Sequence, residues 1–333
     1  MKALILTDQN PDKLELIEAP KPQPAPGMVL VKLKAAALNR RDQWMREGMY
    51  PGIRFGVILG SDGAGIIDSV GEGVSDWQPG QEVIINPNID WGDNPAVQSS
   101  KYHILGMPKD GTFAEYVCVA ADRIHSKPKH LTWEQAAAVP LAGLTAYRAL
   151  IIKGEANAKS KILVTGIGGG VATMAMLLGL AVNAKVFVTS GSDEKLSMAI
   201  KNGAEDGFNY KIDSWDKEVL RLSGGFDVII DSAGGDQINT LMKLLKPGGR
   251  LIFYGATLGI SKKLELHKMF WAQTRLEGST MGNDQEFADM VRLVNDKNIV
   301  PMVDEVFGFN QYLDAFERMK QGNQMGKIVL KIG

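Results

Sequence analysis

The residues with the most explicit chemistry lie mid-chain, where the strand-like run Lys161–Thr165 ends in Gly166-Ile167-Gly168-Gly169-Gly170-Val171-Ala172. This is a variant of the G-x-G-x-x-G/A pattern, and an apolar run that reads as a helix follows it directly. Glycines at such a turn let the backbone bend sharply and approach a pyrophosphate. The helix start supplies unpaired N–H groups and the positive end of its dipole. Ala172 stands where a small residue must let helix and strand pack closely. The pattern predicts a dinucleotide site. Its ribose specificity is set at the end of the next strand, where an acid about 20 residues on would select NAD. Here that strand ends Val188-Thr189-Ser190, followed by Gly191 and Ser192. Asp193 and Glu194 come later, in the first turn of a helix capped by Ser192. Lys195 on the same turn could reach a 2′-phosphate, and Tyr210 could add a hydroxyl. A charge-assisted bond is worth roughly 1.5–3 kcal/mol, enough to set the preference, so NADP is expected over NAD.

A parallel sheet must carry that loop, and the surrounding pattern supplies one. From about Leu131 the chain alternates strands and helices. Strands are expected at Lys161–Thr165, Lys185–Ser190, Phe226–Asp231, Gly249–Tyr254 and Leu276–Thr280, with a weaker one near Phe208. Helices are expected at Val171–Val182, Asp193–Lys201, Ser214–Leu222, Asp236–Leu245 and about Lys268–Gln273. Regular βαβ alternation means a parallel sheet with helices on both faces. The first third reads differently: short strands rich in Val and Ile at Lys2–Thr7, Leu14–Ile17, Met28–Ala35, Gly63–Val70, Glu82–Ile85 and Phe113–Val119. The prolines of Pro20–Gly27 dictate an extended connection. Asn86–Lys109 is a long aperiodic segment, of a length usually tied to function. The last 50 or so residues are mixed, with helices at Asp284–Asn295 and Gln311–Gln321 and strands at Val303–Phe307 and Lys327–Lys331.

Composition closes off several other readings. The chain has 333 residues, 45% hydrophobic and 23% charged, which fits about two globular domains and excludes a disordered or fibrous chain. Lys plus Arg is 37 against Asp plus Glu 38, a net charge of -1 that argues against nucleic acid or an anionic membrane as partner. The single cysteine, Cys118, excludes a disulfide framework. The apolar run Ala3–Leu6 is too short for a signal-peptide core, and Val171–Val182 is far below the roughly 20 residues that span a bilayer. A cytoplasmic protein is expected.

Several separate strings carry a family resemblance: Asn39-Arg40-Arg41-Asp42, Leu59–Val74 (LGSDGAGIIDSVGEGV), Asp110–Val117 (DGTFAEYV), Ala136–Tyr147 (AAAVPLAGLTAY) and the glycine loop. Over essentially its whole length the chain resembles the medium-chain dehydrogenase/reductase superfamily, in its zinc-free, quinone-oxidoreductase-like branch. The resemblance implies an α/β fold. A Rossmann doubly wound parallel sheet, at 131–283, is inserted into a discontinuous GroES-like β domain at 1–130 and 284–333, with the active site in the cleft of the two.

Zinc-dependent members of that superfamily carry a cysteine where Asn39 stands, a histidine where Ser61 stands and a cysteine near Leu141. None of the three residues here offers a thiolate or imidazole. The lobe matching Asn86–Lys109 holds a structural zinc on four cysteines in those relatives, and here it has none, although it is longer than in compact zinc-free reductases. His103, His125, His130 and His267 read as surface or packing residues and Cys118 as a buried strand residue. No metal is expected. Without a Lewis acid, the acceptors best suited to hydride transfer are already electrophilic, such as quinones and conjugated enals or enones.

The resemblance places Asn39 and Thr145 at the nicotinamide end, Gly255, Ala256 and Met281 along the nucleotide, and Lys327 near its ribose or phosphate. Asn39, Asp42, Trp44, Tyr50 and Asp62 are candidates in the substrate region, with no recognisable acid–base dyad among them. Asp62, where zinc relatives put an acid behind the metal, needs a cation, and Arg40 or Arg41 is the expected partner. The implied activity is NADPH-dependent reduction of quinones or α,β-unsaturated carbonyls. An acyl-chain enoyl reductase and a non-catalytic, crystallin-like or regulatory NADPH-binding protein are the alternatives. A small-molecule substrate and a homo-dimer or homo-tetramer, joined through the sheet edge near Leu251–Gly255 and Leu276–Thr280, are the partners the resemblance implies.

Overall fold

The computed structural model describes residues 1–333. The chain divides into two compact units, Met1–Ala142 with Gly282–Gly333, and Gly143–Met281. The first boundary falls later than the texture change near Leu131 suggests. The short helix Trp133–Ala137 packs on the strands Met28–Ala37 and Asp62–Val70, so this stretch belongs to the first unit.

In the first unit, seven strands form one sheet. Its order is Val303–Gly308, Lys327–Lys331, Met28–Ala37, Asp62–Val70, Glu82–Ile85 and Ile124–Ser126, with Tyr116–Ala120 pairing against Met28–Ala37. The central strand Met28–Ala37 is long and almost wholly buried, as its run of Val, Leu and Ala requires. Its core joins the chain's two ends: Leu4, Leu38, Leu59, Phe113, Phe316 and Leu330 pack in one cluster, with Phe113 edge-on to Phe316 at 6.2 Å. The expected strand at Phe113–Val119 begins only at Tyr116. Phe113 and Ala114 instead make local pairings with the N-terminal strand. The segment Asn86–Lys109 is not featureless, because Asn88–Ile89 and His103–Ile104 form a small antiparallel ribbon. A helix at Arg40–Arg46 has no counterpart in the sequence pattern, being only seven residues long.

The second unit is a six-stranded parallel sheet ordered Asp206–Asn209, Lys185–Ser190, Lys161–Val164, Phe226–Asp231, Leu245–Phe253, Arg275–Gly278. The first three strands step toward one edge and the next three toward the other. The order therefore reverses between Lys161–Val164 and Phe226–Asp231, and ligands of such sheets bind at the carboxyl ends of the strands flanking that reversal. Leu163, Phe187, Phe226 and Ile229 form the core of one face, with Phe187 edge-on to Phe226 at 5.5 Å. Helices at Gly170–Ala181, Asp193–Lys201 and Trp215–Ser223 lie close to their expected bounds. The helix expected at Asp236–Leu245 is shorter, Ile238–Lys243 after a single tight turn, because Leu245 already begins the next strand. The helix Pro140–Tyr147 crosses the boundary of the units and widens into a π-helical stretch, Arg148–Lys153. No helix is long and apolar enough to cross a membrane.

Candidate active site

In the first unit, sheet register gathers residues that lie far apart in sequence. Ala37 pairs with both Asp62 and Val329, so Asn39, Asp62 and Lys327 sit at one end of three adjacent strands. The Lys327 ammonium donates to Asn39 Oδ1 at 2.6 Å and to Asp62 Oδ2 at 2.8 Å. Asn39 Nδ2 donates to Asp62 Oδ2 at 2.9 Å, and the Leu141 N–H donates to Asp62 Oδ1 at 2.7 Å. Asp62 is 0% exposed and Lys327 4%, so this is a buried ion pair completed by an amide.

The cation that Asp62 requires is thus Lys327, and neither arginine proposed from sequence. Arg40 is exposed and its Nη1 donates to the Met319 carbonyl at 3.1 Å. Arg41 turns its guanidinium to Ser61 Oγ (2.6 Å), the Leu105 carbonyl (2.9 Å) and Tyr50 Oη (3.2 Å). Sequence reasoning had no access to the pairing, since only the register of the last strand places Lys327 beside Asn39.

Asp42 occupies the first turn of the helix Arg40–Arg46, where its Oδ2 accepts the Asn39 N–H at 2.8 Å. Burial raises its carboxyl to about 6, against the pull of the neighbouring Arg41. Its second oxygen has no protein partner. Trp44 and Tyr50 are half-buried on and just after the same helix. The histidines have ordinary roles. His125 packs against Phe287 at 4.8 Å, His130 bonds the Ile299 carbonyl, His103 the Lys101 carbonyl, and His267 lies edge-on to Phe270. Cys118 lies on its strand but is half-buried, and desolvation pushes its thiol pKa up.

The donor set does not suit zinc. Asn39 is already bonded to Lys327 and Asp62, Ser61 donates to the Leu105 carbonyl at 2.8 Å, and Leu141 has no donor in its side chain. No group of three or more His, Cys, Asp or Glu side chains is gathered for a metal ion.

The second unit fits a dinucleotide. Gly166 and Gly168 have φ of +62° and +135°, values that favour glycine. Gly169 is different: its φ is an ordinary -74°, and a Cβ built there would meet nothing within 4 Å. Neither backbone conformation nor protein packing demands glycine at that point, so the open space before it is the cradle a pyrophosphate would fill. Helix Gly170–Ala181 has no side-chain cap, and its first backbone bond is from Thr173 N–H to the Gly169 carbonyl. The N–H groups of Gly170, Val171 and Ala172 precede that bond at the positive end of the helix.

Asp231, at the end of the strand beyond the reversal, fixes the facing turn. It accepts from Thr165 Oγ1 (2.5 Å), Gln237 Nε2 (2.9 Å) and the N–H groups of Ala233 and Gly234 (3.1 and 2.8 Å). Gly255 follows the next strand, where a Cβ would press on the Ser232 carbonyl at 2.9 Å, and Ala256 is exposed beside it. Thr145 Oγ1 contacts Met281 Sδ at 3.6 Å, and Met281 itself holds a left-handed φ of +41°. At the ribose end, the Ser192 N–H donates to Ser190 Oγ and the Ser192 hydroxyl caps the helix at the Lys195 N–H. Asn209 engages Asp193 at 2.7 Å. A Cβ at Gly191 would meet Lys211 Cε at 2.8 Å and Tyr210 Oη at 2.9 Å. Lys211 is therefore a second lysine at this strand end. It escaped sequence reasoning because only the chain turn after Asp206–Asn209 brings it alongside Gly191.

A GroES-like β unit joined to a doubly wound parallel sheet with this glycine loop defines a nicotinamide-dinucleotide oxidoreductase of the alcohol-dehydrogenase type. The alcohol dehydrogenase GroES-like domain matches residues 25–129 and the zinc-binding dehydrogenase domain residues 170–296. A zinc-type alcohol dehydrogenase-like protein of Leptosphaeria maculans is 36% identical over 96% of this chain and 94% of its own. Mouse quinone oxidoreductase is 29% identical over 93% of this chain and 90% of its own. A crystal structure of an NAD-dependent alcohol dehydrogenase superposes with TM-score 0.93 at 34% identity, covering 100% of both chains. The chain belongs to the medium-chain dehydrogenase/reductase superfamily, which includes quinone-oxidoreductase-like members.

Proposed function

We propose that the protein is an NADPH-dependent, zinc-independent reductase of quinones or α,β-unsaturated carbonyl compounds. The observation that carries this reading is the buried Lys327–Asn39–Asp62 cluster. Where zinc-dependent relatives place a metal and the acid behind it, this chain builds its own fixed ammonium. Relatives such as the Leptosphaeria maculans protein are named as zinc-type dehydrogenases, but thiolate and imidazole ligands for zinc are not gathered among this chain's residues. An ammonium polarises an oxygen far less than a divalent Lewis acid, which suits acceptors that are electrophilic before they bind. When bound, the dinucleotide supplies the hydride.

The chain's own residues bind and orient. Gly166, Gly168, Gly169, Gly170 and Val171 cradle the pyrophosphate. Ser190, Gly191, Ser192, Lys195, Tyr210 and also Lys211 receive the ribose 2′-phosphate. Thr145, Gly255, Ala256 and Met281 are the further cofactor contacts of the second unit. Asp62 holds the Lys327 ammonium in place and neutralises it. No side chain is assigned as proton donor, and water serves that role in this reading.

The protein works in the cytoplasm as a homo-oligomer. The edge strand Arg275–Gly278 pairs within the chain only with Leu245–Phe253, and Ile260, Phe270 and Trp271 stand 90%, 64% and 79% exposed beside it in sequence. A second copy covering that edge accounts for both features.

The test is oxidation of NADPH, with NADH in parallel, by chelator-treated protein against 1,4-quinones, enals and simple ketones. Turnover of quinones or enals that survives chelation supports the reading. Loss on chelation, or turnover confined to simple ketones with NADH, overturns it. The NAD-dependence of the structurally similar alcohol dehydrogenase makes the cofactor comparison the more searching half of that assay.

A further inference from the structure

The first unit carries one charge with no use in the reading above. Arg41 is 6% exposed, yet all its partners are neutral: the Ser61 hydroxyl, the Leu105 carbonyl and the Tyr50 hydroxyl. Its neighbour Asp42 accepts from the Asn39 N–H instead of from Arg41, and Asp62 is matched by Lys327. With no carboxylate hydrogen-bonded to it, the buried guanidinium is held by neutral dipoles and the through-space pull of Asp42, and a bound anion offsets the desolvation cost that remains. Nε and Nη1 are engaged, which leaves the Nη2 edge of the fork for a ligand.

Two phenols stand with it. The Tyr50 ring lies 4.9 Å from the guanidinium carbon. The Tyr102 hydroxyl is fully shielded and has no partner, and its electrostatic neighbours are Arg41 and Tyr50. The Trp91 ring, edge-on at 5.3 Å, holds Tyr102 from behind. The long Asn86–Lys109 segment thus brings an unpartnered hydroxyl into the electrostatic neighbourhood of the guanidinium carried by the helix Arg40–Arg46.

We propose that Arg41, with Tyr102 and Tyr50, is a carboxylate subsite, and that the acceptor is an enone, enal or quinone bearing a carboxylate outside its conjugated system. A planar fork with a flanking hydroxyl suits a planar oxyanion. The carboxylate must lie outside the conjugation, because its electron density would otherwise blunt the electrophile. The substrate class rests on the reductase reading, whereas the anion subsite does not.

The experiment separates the two. Calorimetry with NADP-loaded protein compares the saturated, unreactive acid 6-oxoheptanoate with its methyl ester, and turnover with NADPH compares 6-oxohept-4-enoate with its ester. The expected result is at least tenfold tighter binding of the acid, an acid-to-ester ratio near one in Arg41→Gln, and a three- to tenfold loss for the acid in Tyr102→Phe. Tyr102→Phe removes one oxygen and keeps the ring packing, so it decides the matter even if Arg41→Gln fails to fold. Equal binding of acid and ester by the wild type, or equal weakening of both by the variants, overturns the subsite. Acid-selective binding with no reduction of either enone overturns the reductase reading and leaves the subsite standing.

Discussion

Replacing Lys327 with methionine probes the feature on which the functional reading depends. The substitution keeps the side chain's bulk and removes its ammonium, so Asp62 loses a 2.8 Å charge-assisted bond and Asn39 Oδ1 loses a 2.6 Å one. Breaking a buried pair by removing one partner costs roughly 3–5 kcal/mol. Asp62 keeps the Asn39 amide at 2.9 Å and the Leu141 N–H at 2.7 Å, which places the cost near the lower end, about 3 kcal/mol. At roughly 2–4 °C per kcal/mol for a unit of this size, the melting temperature should fall by about 6–12 °C. The assay is calorimetric melting of wild type, Lys327→Met, Asp62→Asn and the double variant. Removing both charges leaves no orphaned ion, so the double variant should be more stable than the sum of the single losses predicts by at least about 1 kcal/mol. Strict additivity, or a Lys327→Met protein melting with the wild type, would refute the coupling and the role given to the ammonium.

Gly169→Val should abolish binding of both NADPH and NADH, because its side chain enters the space where a Cβ now meets nothing, while the ordinary φ limits the stability loss to about 1 kcal/mol. Retained binding in a titration followed by cofactor fluorescence would remove the loop from the site. Lys195→Ala with Lys211→Ala should weaken NADPH by tenfold or more and NADH by less than twofold; parallel losses would sink the 2′-phosphate assignment. For Asp42, the folded-state pKa is raised to about 6 from an ordinary 3.8, so the acid's stabilising contribution is full below the lower value and lost as pH rises through the upper. Asp42→Asn should therefore gain on the wild type by about 2–3 kcal/mol between pH 4 and 7, read as the difference in melting temperature, and a constant difference would exclude the shift. Trp271→Glu should shift sedimentation toward the monomer without loss of cofactor binding, and an unchanged species would move the contact elsewhere.

The strands of the parallel sheet and the glycine loop were legible in the sequence because both rest on local signals: hydrophobic periodicity for the strands, and glycine at positions of positive φ for the turn. Elements without such signals were not. The helix Arg40–Arg46 is too short for a period to emerge, and the ribbon of Asn88–Ile89 with His103–Ile104 has only two residues a side. The pairing of Asp62 with Lys327 was beyond reach for another reason: a carboxylate's need for a cation is readable, but which cation answers it depends on strand register across most of the chain. Arg40 and Arg41 were nearer in sequence and wrong. Lys211 illustrates the same limit at the ribose end, where proximity is made by the end of one strand folding against the next.

The distance along the chain between those ionic partners has a consequence for how the protein is made. Lys327 lies 265 residues after Asp62 and 288 after Asn39. At about 5–20 residues per second, the ribosome releases the carboxylate some tens of seconds before the lysine that neutralises it. During that interval the N-terminal sheet also lacks the strand Lys327–Lys331 along one side of Met28–Ala37. The Gly143–Met281 unit is synthesised inside this waiting period and contains all six of its own strands. Synthesis thus completes the inserted unit before the one that encloses it in sequence, and the nascent N-terminal portion must remain competent to accept the strand Lys327–Lys331 until that strand is made.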